Sequence, residues 1–144
     1  MPIYESRNDR KNERSVAKVL ERKFGCDVCV TDTTDEIDFI GYDNEVIRWI
    51  GELKCRNVYP DTYDTIFLEK RKRDALEHLA EQSDDDVTPL FIVKFTKNNE
   101  IRIFELGKDV NLGKPKRNLG RTDRNDPNDL DTMYLVPVSR MIKI

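Results

Sequence analysis

The chain reads as an α/β domain, with one mixed, mostly antiparallel sheet flanked by two helices. Three observations carry that reading. Two stretches repeat apolar residues at helical spacing, and six shorter ones are rich in β-branched and aromatic residues. Their order is helix, three strands, helix, two strands, long loop and short strand, which suits helices packed on a sheet.

The first helix is expected from about Asn8 to Phe24, where Val16, Ala17, Val19, Leu20 and Phe24 form one stripe opposite a charged face. Gly25 suits the position just past its C-terminus. A short strand is expected at about 26–31. Glu36–Tyr42 and Glu45–Cys55 read as two strands around Asp43-Asn44, a good turn pair. Residues 56–66 read as a loop, and a second helix as Phe67–Glu81 with Ala75, Leu76, Leu79 and Ala80 as its stripe. Leu90–Phe95 reads as a buried strand and Ile101–Phe104 as its partner across Lys97–Glu100. Residues 107–132 are polar and aperiodic, and a loop of that length is functional or disordered. Met133–Val138 reads as the last strand.

The length, 144 residues, is close to the mode for one domain, so a single domain over 1–144 is expected. Hydrophobic residues make up 38% and charged residues 37%, against about 45–50% and 25% in typical domains. One modest core with a heavily charged surface follows. The longest apolar run, Leu90–Val93, is far too short to span a bilayer as a helix. The first residues lead straight into charges with no apolar secretion segment, so a cytoplasmic location is expected. Three cysteines cannot all pair internally, and they read as reduced thiols. Cys26, Cys29, Cys55 and His78 would form a zinc set on paper. However, Cys26–Val30 alternates like a strand, which sends positions 26 and 29 to opposite faces.

A net charge of −3 argues against a generally basic nucleic-acid binder. The signs are nevertheless uneven. Lys70-Arg71-Lys72-Arg73 is an unbroken basic run, and 107–124 holds Lys108, Lys114, Lys116, Arg117, Arg121 and Arg124 against Asp109 and Asp123. Such patches suit contact with a polyanion on one face, or simply a solvated surface.

The chemistry concentrates in 38–54. Asp38 interrupts the apolar strand Ile37–Gly41, and Gly51-Glu52-Leu53-Lys54-Cys55 sets Glu52 and Lys54 on one face of the next strand. Charged side chains rarely sit mid-strand without a partner or metal. A two-residue turn at 43–44 would pair Asp38 with Trp49 and separate it from Glu52. A three-residue turn at 43–45 would pair Asp38 with Ile50 and make Glu52 its same-face diagonal neighbour. The second register is expected, because only it brings the carboxylates together. Paired carboxylates beside a lysine suit phosphodiester hydrolysis with Mg²⁺ or Mn²⁺; the bland reading is a cross-strand salt bridge.

At these residues the chain resembles the PD-(D/E)xK nuclease superfamily, which includes restriction endonucleases, archaeal-type Holliday junction resolvases and many phage nucleases. The resemblance covers roughly 5–105. Asp38 matches the motif's aspartate, Glu52 its acidic position and Lys54 its lysine, while Ile37 stands where the name has proline. It implies a restriction endonuclease-like αβββαβ core and a Mg²⁺-dependent DNA endonuclease. Asp38, Glu52 and the Leu53 carbonyl would bind metal, with Glu13 on the first helix binding directly or through water. Lys54 would position the nucleophile. Lys72, or second Lys70, would be the lysine early on the following helix. Lys70, Lys72, Arg73, Lys114, Lys116 and Arg117 would hold DNA backbone phosphates. No reader domain is visible, so structure-selective or low-specificity cleavage is expected. A homodimer is an option by resemblance to the resolvases. The expected host is a bacterial, archaeal or phage-infected cell. The rival readings are an RNA-directed nuclease, a non-catalytic nucleic-acid-binding module of the same fold, and a structural protein.

Overall fold

The computed structural model describes residues 7–31, 37–83, 86–107, 109–116 and 132–144. Helix α1 runs Arg7–Phe24. It ends where expected, with Gly25 at φ +61° and its N–H donating to the Glu21 carbonyl at 2.9 Å. Strands β1 (Asp27–Val30), β2 (Phe39–Asp43) and β3 (Val46–Arg56) follow. Then come β4 (Thr65–Glu69), α2 (Lys70–Gln82), β5 (Thr88–Phe95), β6 (Glu100–Glu105), β7 (Met133–Pro137) and β8 (Ile142–Lys143).

Six strands form the main sheet in the order β1-β2-β3-β5-β6-β8. Every pairing is antiparallel except β3 with β5, whose crossover contains β4 and α2. The mixed sheet and flanking helices match the expected class. Strand β5 is central and buried from Pro89 to Phe95. Leu90 and Ile92 face Val16, Ala17 and Leu20 of α1, while Phe91, Val93 and Phe95 face Leu76 of α2. Covering both faces gives β5 its continuous apolar run.

The expected helix 67–81 starts late, because Thr65–Glu69 is strand β4, paired with β7 in a separate two-stranded sheet. Ile66 and Leu68 alternate into the core, at 3% and 1% exposure. This period-2 pattern was concealed because the partner strand lies near the far end of the chain. Strand β8, which pairs with β6, also falls outside the expected set.

The β2–β3 hairpin also differs from the expected three-residue turn. Asn44 (φ 49°) and Glu45 (φ 66°) make a two-residue turn between the paired Asp43 and Val46. Two positive φ values are the signature of a type I′ turn. Tyr42 pairs with Ile47 but Gly41 with Trp49, so Arg48 is the extra residue of a β-bulge. Ile50 therefore faces Ile40, and not Asp38 as expected. Without the bulge the turn would put Asp38 opposite Gly51 and on the face away from Glu52. The bulge restores the parity that the candidate site needs. It lies beside a close approach, since a Cβ on Gly41 would overlap the Trp49 indole.

Candidate active site

Strand β3 sends alternate residues to opposite environments. Trp49 and Leu53 pack toward α1, whereas Ile50 joins the core toward α2, and Glu52, Lys54 and Arg56 continue on that second face. At Asp38 the β2 backbone leaves the regular ladder. The Asp38 N–H donates to the Gly51 carbonyl and the Thr31 N–H to the Asp38 carbonyl, both at 2.9 Å. The Asp38 carboxylate takes over the next position, where its Oδ2 accepts the Leu53 N–H at 2.7 Å. N–H and C=O of one strand residue point to the same edge. The Leu53 carbonyl is therefore turned toward the edge that β2 has left.

This substitution of side chain for backbone fixes Asp38 against Glu52, with the two carboxyl groups in hydrogen-bonding contact. Burial, and then the Asp38 charge, push the Glu52 carboxyl up to about 8, although Lys72 pulls it the other way. Glu52 Oε1 accepts from Lys72 Nζ at 3.0 Å. Glu52 Oε2 is buried and has no hydrogen-bond donor. Two touching carboxylates cannot both stay ionised without a third charge, so a proton or a cation must complete the pair.

Burial, and then repulsion from Arg56, bring the Lys54 amine down to about 8, against the pull of Glu69 and Glu52. Burial also lowers Lys72, but the Glu52 charge and hydrogen bond, with Asp38 and Glu69, outweigh it and hold Lys72 above its ordinary value. Glu69 thus belongs to the network, and the sequence reading missed it. It ends β4 immediately before α2, and Arg71 approaches its Oε2 at 2.8 Å without the alignment of a hydrogen bond. No local pattern marks Glu69 once 65–69 is read as loop and helix.

The expected residues divide clearly. Asp38, Glu52, Lys54, the Leu53 backbone and Lys72 come together. Glu13 does not join them. It is buried on α1, whose apolar stripe packs on the opposite sheet face, and Arg10 lies 3.4 Å from its carboxylate. Arg10 also donates to the Thr31 carbonyl at 3.3 Å, so Glu13 is linked to Asp38 only through backbone. Among the described residues, no three acidic, histidine or cysteine side chains form a metal cluster.

Arg73 is not a surface cation awaiting phosphate. Its guanidinium is buried, bonded to Glu77 at 2.8 Å and to the Gly107 and Val110 carbonyls at 3.1 and 2.7 Å, and lies over the Tyr134 ring. Lys70 is exposed and paired with Asp74. Lys114 and Lys116 are exposed, and the Lys116 backbone bridges to Met133. Arg117 lies outside the described residues. Cys26 packs toward α1 while Cys29 is exposed, and His78 is exposed on α2.

An aspartate leaving one strand, an E-x-K on its neighbour and a helix on each side of a mixed sheet define a PD-(D/E)xK endonuclease core. The chain belongs more particularly to the family described as "Phage putative PDDEXK endonuclease", whose model matches residues 1–144. No curated protein matches it.

Proposed function

We propose that this chain is a divalent-cation-dependent endonuclease that hydrolyses DNA phosphodiester bonds, with Mg²⁺ or Mn²⁺ as the cation. One observation carries the reading: the buried, donorless Oε2 of Glu52 beside the Asp38 carboxylate. Hard oxygen donors of this kind fit Mg²⁺, which takes one or two carboxylates and keeps several waters. Asp38, Glu52 and the Leu53 carbonyl would hold the ion, and two side chains suffice without Glu13. Bound there, the cation supplies a polarised phosphoryl oxygen and an acidified water.

The chain's own residues do the rest. Lys54, two positions from Glu52 on the same face, orients the attacking water and offsets negative charge on the phosphoryl oxygens. Lys72 holds Glu52 in place and adds a second positive charge. The exposed Lys70 and Arg71 open α2 on the side where phosphates would approach, and the helix N-terminus adds its own partial positive charge. No helix among the described residues is long and apolar enough to cross a membrane. Incubation of supercoiled plasmid with the protein should give nicked or linear DNA in Mg²⁺ and none in EDTA. An intact plasmid under both conditions would overturn the reading.

A further inference from the structure

Beyond the charged cluster, the loop joining β3 to β4 presents two tyrosines to solvent. Tyr59 is 51% and Tyr63 61% exposed. Their exposure does not come from a loosely held loop. Thr96 binds the Arg56 carbonyl through its N–H at 2.9 Å and Asn57 Oδ1 through its hydroxyl at 3.0 Å. Val58 packs into the core on the α2 side. The Thr62 N–H donates to the Tyr59 carbonyl at 3.0 Å, and the Tyr59 N–H to Thr62 Oγ1 at 3.1 Å. At the far end the Val138 N–H donates to the Asp64 carbonyl at 2.9 Å. The backbone is fixed at both ends and across the turn, and the two tyrosines flank that turn.

The loop leaves β3 at the end that carries the candidate site. Glu52, Lys54 and Arg56 share one face, and Val58 continues into the core beneath that face. At strand rise, the chain between Lys54 and Tyr59 spans at most about 17 Å, a few nucleotides of a DNA strand. The surroundings are cationic, with Arg56 on the strand and Lys70 and Arg71 exposed at the start of α2. Flat aromatic groups beside a phosphate-binding surface match one ligand chemistry, a base on an unpaired strand. Bases inside intact duplex are stacked on each other and present no face to a ring.

We infer that Tyr59 and Tyr63 form a stacking platform for unpaired bases of the strand being cut. The substrate class is then DNA with single-stranded bases next to the scissile phosphate, as at a gap, a flap or a branch. The inference rests on the nuclease reading but has its own readout. Binding of the full chain to fluorescent gapped DNA and to blunt duplex is measured in Ca²⁺ for wild type, Tyr59→Leu, Tyr63→Leu, Tyr59→Phe and Tyr63→Phe. Leucine keeps apolar bulk without a ring face, and phenylalanine keeps the face. Wild type should bind gapped DNA more tightly. Each leucine variant should lose about fivefold or more on gapped DNA and little on duplex, while each phenylalanine variant should behave as wild type. Equal binding of gapped DNA by the leucine variants and wild type overturns the platform. So does an equal loss on both DNAs, or a loss in the phenylalanine variants. Plasmid cleavage in Mg²⁺ by wild type tests the nuclease reading separately, because the binding contrast needs no hydrolysis.

Discussion

The two faces of β3 divide the work of the protein between alternate residues. Toward α1, Trp49 and Leu53 join Val16, Leu20, Phe39, Leu90, Ile92, Ile101 and Ile103 in a nearly all-apolar cluster. Toward α2, the strand begins the same way with Ile50 beside Phe91 and Val93, then turns charged at Glu52, Lys54 and Arg56. One face is built from burial alone. The other places charges against that burial, and their displaced pKa values measure the cost. A strand can do both because its side-chain period is two, and the bulge at Arg48 decides which residues of β2 meet which face. Stability and chemistry should therefore separate by position parity.

The sharpest break in this comparison is Lys54→Ala. Removing a well-placed charge typically costs about 10²–10³ in rate, so Mg²⁺-dependent cleavage should fall by at least that factor. DNA affinity in Ca²⁺ should weaken modestly, since a cation is lost near phosphate. Unchanged cleavage would detach the charged face from catalysis.

A second test reads the strain of the charged face directly, as metal-free stability against pH. The Glu52 carboxyl is raised from 4.5 to about 8, so the folded chain keeps a proton that the unfolded chain has lost. Its contribution is fully present below pH 4.5 and is lost as pH rises through 8. The Lys54 amine is lowered from 10.5 to about 8, so its contribution is present above 10.5 and lost as pH falls through 8. Stability should be lowest near pH 8, with a fall on the acid side on the order of a few kcal/mol. Denaturant melts should show that fall, and Glu52→Gln should abolish it. Added Ca²⁺ should stabilise most near pH 8, because ligand carboxylates must be ionised to bind.

On the apolar face, Leu20→Ala should cost about 2–5 kcal/mol in denaturant unfolding. Cleavage per folded molecule should stay at the wild-type level. A loss of activity in the folded variant would mean that the faces are coupled. The smallest effect concerns the region after β6. Neutralising Lys114, Lys116 and Arg117 together should flatten the salt dependence of DNA binding by about 0.9 in log–log slope per lost phosphate contact. An unchanged slope would confine phosphate binding to α2 and its surroundings.

Local features were legible in the sequence. Helix α1 and its Gly25 terminus follow from a single periodic stripe and one residue that tolerates positive φ. The same-face placement of Asp38 and Glu52 was also legible, but by a different route from the one the hairpin takes. The turn sits one residue later than expected and the bulge adds another, so two shifts of one restore the parity. Lys72 was found because Ala75, Leu76 and Leu79 fix the inward side of α2. Arg73 was misread because a basic run on a helix turns about 100° per residue. Lys70 and Arg71 point outward, Lys72 reaches Glu52, and Arg73 is buried against Tyr134. Strand β4, and with it Glu69, was not legible, because its pairing partner β7 lies near the other end of the chain. Glu13 was placed by the inward stripe of α1, which points to the apolar face of the sheet.

The account is tested most directly by Glu52→Gln, assayed for Mg²⁺-dependent plasmid cleavage and for DNA affinity in Ca²⁺ beside wild type. The substitution keeps the side chain's shape and removes the charge that would hold the cation. Cleavage should fall by about 10²–10³ or more, while DNA affinity should stay equal or tighten slightly because a negative charge has left the phosphate-binding surface. General misfolding would lower both together. Wild-type cleavage by Glu52→Gln would contradict the assignment of this face as the catalytic centre.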